Sequence, residues 1–62
     1  METIKQVLMR RDRMTDSEAE SVISEAKDAL TDYLGALDFD SAGYVCEEYF
    51  GLEADYIFEL LT

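Results

Sequence analysis

From Ala19 to Leu37 the chain places apolar residues three or four positions apart: Ala19, Val22, Ile23, Ala26, Leu30, Tyr33, Leu34 and Leu37. That spacing lays them along one side of an α-helix and does not fit the period of two that a half-buried strand requires. The intervening Glu20, Ser21, Ser24, Glu25, Lys27, Asp28 and Asp32 form the opposite, polar face. Immediately upstream, Thr15-Asp-Ser-Glu18 is a capping box: the threonine hydroxyl accepts from the amide three residues on, and the glutamate reaches back to the threonine amide. Met14 precedes the cap as a hydrophobic staple, and Asp16 and Glu18 suit the positive end of the helix dipole. The pattern predicts a helix over about 16–34 with a stop or bend near Gly35.

The rest of the chain follows the same period. Proline is absent, and the glycines stand only at 35, 43 and 51. Ile4, Val7 and Leu8 share one helical face behind Thr3 as N-cap, which predicts a helix over about 3–11 that ends in Arg10 and Arg11. Asp38-Phe-Asp-Ser41 reads as a turn and a new N-cap, followed by Ala42, Val45, Cys46, Tyr49 and Phe50 at helical spacing, for a helix over about 41–50. Gly51 is placed to end it in the left-handed conformation, with Leu52 packing back across the turn. Tyr56, Ile57, Leu60 and Leu61 predict a last helix over about 53–61. The expected fold is all-α, a compact bundle of three to four short helices in a single domain over 1–62. In its second half Val45, Cys46, Tyr49, Phe50, Ile57, Leu60 and Leu61 are expected to build the core.

A domain of 62 residues has a marginal core. With one cysteine, Cys46, and no histidine, neither an internal disulfide nor the usual zinc ligand sets can reinforce it. Helix packing, self-association or a partner must supply the stability. A lone thiol suits a reducing compartment. The first residues mix Lys5, Arg10, Arg11 and Arg13 with short apolar steps, unlike a signal peptide, and no apolar run approaches the roughly 20 residues that span a bilayer. The expectation is a complete, soluble, cytoplasmic product.

Charge is distributed unevenly. The net charge is −10, and residues 1–27 hold six acids against five bases. Residues 28–62 hold nine acids, no lysine, arginine or histidine, and every tyrosine and phenylalanine of the chain. Such a field repels nucleic acid and anionic membranes and attracts basic surfaces.

The motifs that resemble chemical sites are incomplete. Asp38-Phe-Asp-Ser-Ala-Gly43 begins like an EF-hand calcium loop, but position five is Ala42 and position twelve is Tyr49 where a bidentate glutamate is needed. Tyr44 to Leu61 has the outline of a helix-turn-helix, but its second helix offers Glu53, Asp55 and Glu59 where a DNA reader needs basic and amide side chains. Cys46 sits on an apolar face beside Glu47 and Glu48, where burial and negative charge make a poor nucleophile and a good core thiol. No histidine, Gly-rich phosphate loop or activated nucleophile is present, so no enzymatic activity, cofactor or metal is expected. Arg10, Arg11 and Arg13 are expected to hold the first helix against the acidic helices or to fix a partner by charge.

Two stretches, Thr3-Ile-Lys-Gln-Val-Leu-Met-Arg-Arg-Asp with Met-Thr-Asp-Ser-Glu-Ala-Glu and the closing Glu-Glu-Tyr-Phe-Gly-Leu-Glu-Ala-Asp-Tyr-Ile-Phe-Glu-Leu-Leu, resemble short acidic proteins encoded by bacteriophages and mobile elements of gut-type bacteria. The resemblance covers most of the chain and carries no assigned activity and no site residues. What it implies is context: a bacterial host, and a way of working in which a small acidic protein binds and blocks a host protein. Anti-CRISPR and anti-restriction proteins that imitate DNA work in this way.

The functional expectation is therefore a protein-binding inhibitor. Its surface would be Asp28, Asp32, Asp38, Asp40, Glu47, Glu48, Glu53, Asp55 and Glu59, with Tyr44 and Tyr56 adding contact area. Residues three or four apart on a helix lie about 5–6 Å from one another, and duplex DNA carries one phosphate per ~3.4 Å of each strand, so carboxylates on adjacent helices roughly imitate one phosphate track. The expected partner is a protein with a basic, nucleic-acid-binding surface. Two other readings compete: a surface that only keeps the protein soluble, and a small assembly module that forms homodimers through its apolar residues.

Overall fold

The computed structural model describes residues 2–61, and they form an all-α fold. Thr3 caps α1 (Ile4–Arg11) through a capping box completed by Gln6. The predicted box at Thr15 and Glu18 opens the long helix α2 (Asp16–Gly35). α3 (Phe39–Gly43), α4 (Val45–Phe50), a 3-10 turn (Ala54–Tyr56) and α5 (Ile57–Leu60) complete the chain.

Helix α2 is the spine, and α1, α3, α4 and α5 all pack on it. Two alanines, Ala19 and Ala26, lie fully buried in its stripe, and without larger side chains there the neighbouring helices approach closely. Ile4, Leu8, Leu30, Ala42, Val45, Cys46, Phe50 and Leu60 close the core around them. Met14, Val22, Ile23, Tyr33, Leu52, Tyr56 and Ile57 pack against its edges.

The acidic half departs from the expected pair of helices. The segment expected as one helix over 41–50 starts earlier and is divided. Within the stretch expected to hold the cap, Asp38 accepts a hydrogen bond from the Ser41 amide (3.1 Å) and starts α3. The chain then turns tightly at Tyr44, whose amide returns to the Ser41 carbonyl, before α4 begins. The last predicted helix is likewise shorter, a 3-10 turn followed by four α-helical residues. On so short a helix only one side can face the core, so Leu60 is buried while Leu61 stays 55% exposed. Tyr49 and Leu37 also lie outside the core expected for them, at 38% and 73% exposure.

Three helices end through a left-handed residue, and only one of these is glycine. Gly51 (φ +65°) ends α4 as expected, and the amides of Gly51 and Leu52 return to the carbonyls of Glu47 and Cys46. Arg13 (φ +56°) follows α1, with the Met14 amide returning to Leu8. Leu37 (φ +58°) follows α2, with the Asp38 amide returning to Tyr33 at 2.8 Å. α2 stops at Gly35 as expected, with Gly35 still helical, and the left-handed residue is Leu37, two residues later.

Two outcomes follow from this packing. A 62-residue domain has a total stability of roughly 3–9 kcal/mol. Phe50→Ala, which empties the centre of the core, should remove about 3–5 kcal/mol of that stability, measured by chemical denaturation followed by circular dichroism. Leu37→Gly should do the opposite. A left-handed leucine costs about 1–2 kcal/mol, and glycine's greater entropy loss on folding costs about 0.5–1. With the Leu37 side chain mostly in water, chemical denaturation should show a net gain of about 0.5–1 kcal/mol.

Candidate protein-binding surface

The short helices of the acidic half each start with carboxylates. Asp38 and Asp40 stand at the start of α3, Glu47 and Glu48 in the first turn of α4, Asp55 in the 3-10 turn and Glu59 in α5. An anion at a helix start meets unpaired amides and the positive dipole end, so part of this charge serves local structure. The same helices have no base in their last turns. At the end of α4 that role falls to a residue of α1: the Arg11 guanidinium donates to the Phe50 carbonyl.

The ion pairs resolved between described side chains involve Lys5, Arg10 and Arg11. Lys5 Nζ is 2.7 Å from Asp16 and 3.1 Å from Glu20, joining α1 to α2. Arg10 forms a two-pronged pair with Glu2, and Arg11 one with Asp12. These hydrogen-bonded arginines draw the Glu2 and Asp12 carboxyls below their ordinary range. Of the arginines expected to hold the first helix against the acidic helices or to fix a partner by charge, Arg11 makes the crossing to α4, through a backbone carbonyl.

The expected site residues divide into two groups. Asp28 and Asp32 lie one turn apart on the exposed side of α2, and Glu25 extends the strip. Asp40, Glu47, Glu48, Glu53 and Asp55 are exposed and have no side-chain hydrogen bond or ion pair among the described residues. Tyr44, at the junction of α3 and α4, is 63% exposed. Glu47, Gly51, Leu52, Glu53 and Ala54 line a shallow, open depression. Asp38 and Glu48 meet at Tyr33: Glu48 first, then burial, Tyr49 and Asp38 raise the Tyr33 hydroxyl above its ordinary value.

The other group faces inward. Glu59 is half-buried, and its Oε2 accepts a 2.8 Å hydrogen bond from the Ile4 amide at the start of α1. Its carboxylate caps a helix 55 residues away and closes the two ends of the chain on each other. Tyr56 packs against the edge of the core within electrostatic reach of Arg10. Both belong more to the frame than to the open surface.

Two alternative sites resolve into helix. The segment that begins like a calcium loop is a capped helix, Phe39–Gly43, with the Asp38 carboxylate occupied by the Ser41 amide. Cys46 is buried, and burial, reinforced by the charge of Glu59, pushes its thiol up and away from the reactive thiolate. Among the described residues no helix is long and apolar enough to cross a membrane.

Sequence reasoning passed over the apolar part of this surface. Leu37 and Phe39, at 73% and 64% exposure, stand on either side of Asp38, and Phe58 is 68% exposed. Phe39 carried a signal: a large apolar residue between two aspartates, off the phase of both neighbouring stripes. Comparison of the chain with protein-family models, with curated proteins and with solved structures returned no match.

The Tyr33 contact is directly testable. Glu48→Gln removes the largest cause of the upward shift, so the Tyr33 hydroxyl should titrate at lower pH, followed by NMR of its ring. Because the folded-state value is raised, the associated stability is present below the ordinary tyrosine value and is lost as pH rises through the raised one. Glu48→Gln should therefore also narrow the alkaline loss of stability.

Proposed function

We propose that this chain is a small protein-binding inhibitor whose acidic outer face engages the basic, nucleic-acid-binding surface of a host or defence protein. The single observation that carries this reading is the character of residues 28–62: nine acids and no base. Asp28, Asp32, Asp40, Glu47, Glu48, Glu53 and Asp55 lie exposed there without hydrogen bond or ion pair among the described residues. A surface that only confers solubility intersperses both signs, as the first 27 residues do. Keeping like charges together on a small domain opposes folding and favours a partner of opposite sign. The resemblance to small acidic phage proteins supports the same reading, with the bacterial cytoplasm as the setting. The acids would steer encounter, and Tyr44 would add contact area.

Affinity capture from bacterial lysate at increasing salt tests this reading. Proteins held by the acidic face should be basic, be released between about 0.1 and 0.5 M salt as screening shortens, and be displaced by duplex DNA. Combining Asp28→Asn, Asp32→Asn, Glu47→Gln and Glu48→Gln should weaken capture at least ten-fold without lowering the melting temperature. Capture that ignores salt, or persists in the four-fold variant, would sink the proposal.

A second reading, a self-associating assembly module, draws on the exposed Leu37, Phe39, Phe58 and Leu61. Sedimentation over a concentration series decides it: a dimer that forms at micromolar concentration favours assembly, and a monomer throughout favours inhibition.

A further inference from the structure

Leu37 combines two properties that work against the fold. Its backbone is left-handed (φ +58°), where a leucine is strained, and its side chain is 73% exposed, where burial returns little. Glycine would relieve the strain. Neither is it a loose loop: the Leu37 amide donates to Leu34, the Asp38 amide donates to Tyr33 at 2.8 Å, and Asp38 accepts from Ser41. The knuckle is thus fixed from both sides, and it holds Leu37 and Phe39 outward with Asp38 between them and Asp40 beside them. Backbone strain that a structure over-determines concentrates at functional sites.

We infer that the Leu37–Phe39 knuckle is the anchor of the binding surface, and that its occupant is a cationic amphipathic helix of the partner, with apolar side chains on Leu37 and Phe39 and arginine or lysine on Asp38 and Asp40. This rests on the reading of the acidic face as a protein-binding surface and adds where the affinity resides. Charge decides the class of occupant. No base follows Lys27 in the chain, and the charged residues within the knuckle and next to it are Asp38 and Asp40. A second copy would carry a further −10 and set its own Asp38 and Asp40 against these. A cationic helix instead neutralises them and covers the apolar pair. Exposed charges mainly set encounter and salt dependence, while desolvated large apolar contacts hold the complex.

The probe is a labelled synthetic helix with leucine on one face and arginine on its flanks, beside a scrambled peptide of equal charge and an uncharged peptide with the arginines replaced by glutamine. Fluorescence anisotropy at low and high salt, with the full chain, should show the amphipathic peptide bound at least ten-fold more tightly than either control. Leu37→Gly should weaken that binding at least ten-fold while the melting temperature holds or rises, a combination that loss of structure cannot produce. Phe39→Ser gives an independent second test with the same expected loss. Unchanged binding in both variants overturns the anchor; if binding then still falls with salt and with Glu47→Gln and Glu48→Gln, the acidic-face reading survives without it. Equal binding of the scrambled peptide also overturns the anchor. Concentration-dependent sedimentation that Leu37→Gly abolishes would assign the knuckle to self-association and overturn the cationic occupant.

Discussion

The burial of one stripe on one helix governs this molecule. Every other helix packs on α2, and none of them is long enough to be stable alone. With no disulfide, the apolar contacts of Ala19, Ala26 and Leu30 with Leu8, Val45, Cys46 and Phe50 must offset the entropy of ordering the whole chain. Alanine at the two central positions is part of that constraint, because larger residues would hold α1 and α4 away and open gaps elsewhere. The capped ends of α1 and α2 then fix direction, and the Glu59 carboxylate on the Ile4 amide ties the last helix to the first.

Charge follows from the same economy of size. In the first half, lysine and arginine spend their contacts on nearby acids and on one carbonyl of α4. The acidic half has no cation to offer, so its short helices use carboxylates at their starts and leave most of their ends to water or to Arg11. The dipole argument accounts for Asp38, and the cap on α1 accounts for Glu59. It accounts poorly for Asp28, Asp32 and Glu53, which lie within α2 or ahead of the 3-10 turn and make no such bond. The part of the charge that local structure does not require is smaller than the composition implies, and it is concentrated on α2 and the turn that follows α4.

The sequence was most informative where the interactions are local. Both threonine caps, the α2 stripe and the left-handed Gly51 depend on residues within a few positions of one another, and each can be read from the chain. What could not be read depends on contacts between distant segments. Whether Leu61 or Leu60 is buried is decided by the orientation of α5 against α2, and the role of Glu59 is decided by where α1 begins. The stop of α2 near Gly35 could be read from the chain, but the left-handed residue after it could not: Leu37 takes that conformation where the returning Asp38 amide finds the Tyr33 carbonyl. Of the expected surface, the exposed acids and Tyr44 stand where the helical phase put them, whereas Tyr56 and Glu59 were drawn inward by packing that no single-helix pattern records.

A small acidic surface faces a physical limit as a binder. Carboxylates in water gain little on meeting exposed cations, because screening and desolvation offset most of the attraction, so charge alone gives fast but short-lived complexes. Lasting affinity needs apolar area that is withdrawn from water on binding and was not already buried on folding. In a chain whose core consumes most of its large apolar residues, such area can come only from side chains held out of the core. Leu37 and Phe39 meet that condition on a hydrogen-bonded knuckle bordered by aspartates. Phe58 and Leu61 meet it on the last short helix, where Glu59 is engaged with α1 and the exposed Asp55 lies a turn before Phe58. Apolar area and exposed negative charge therefore alternate residue by residue at the knuckle and are spaced further apart at the C-terminal helix.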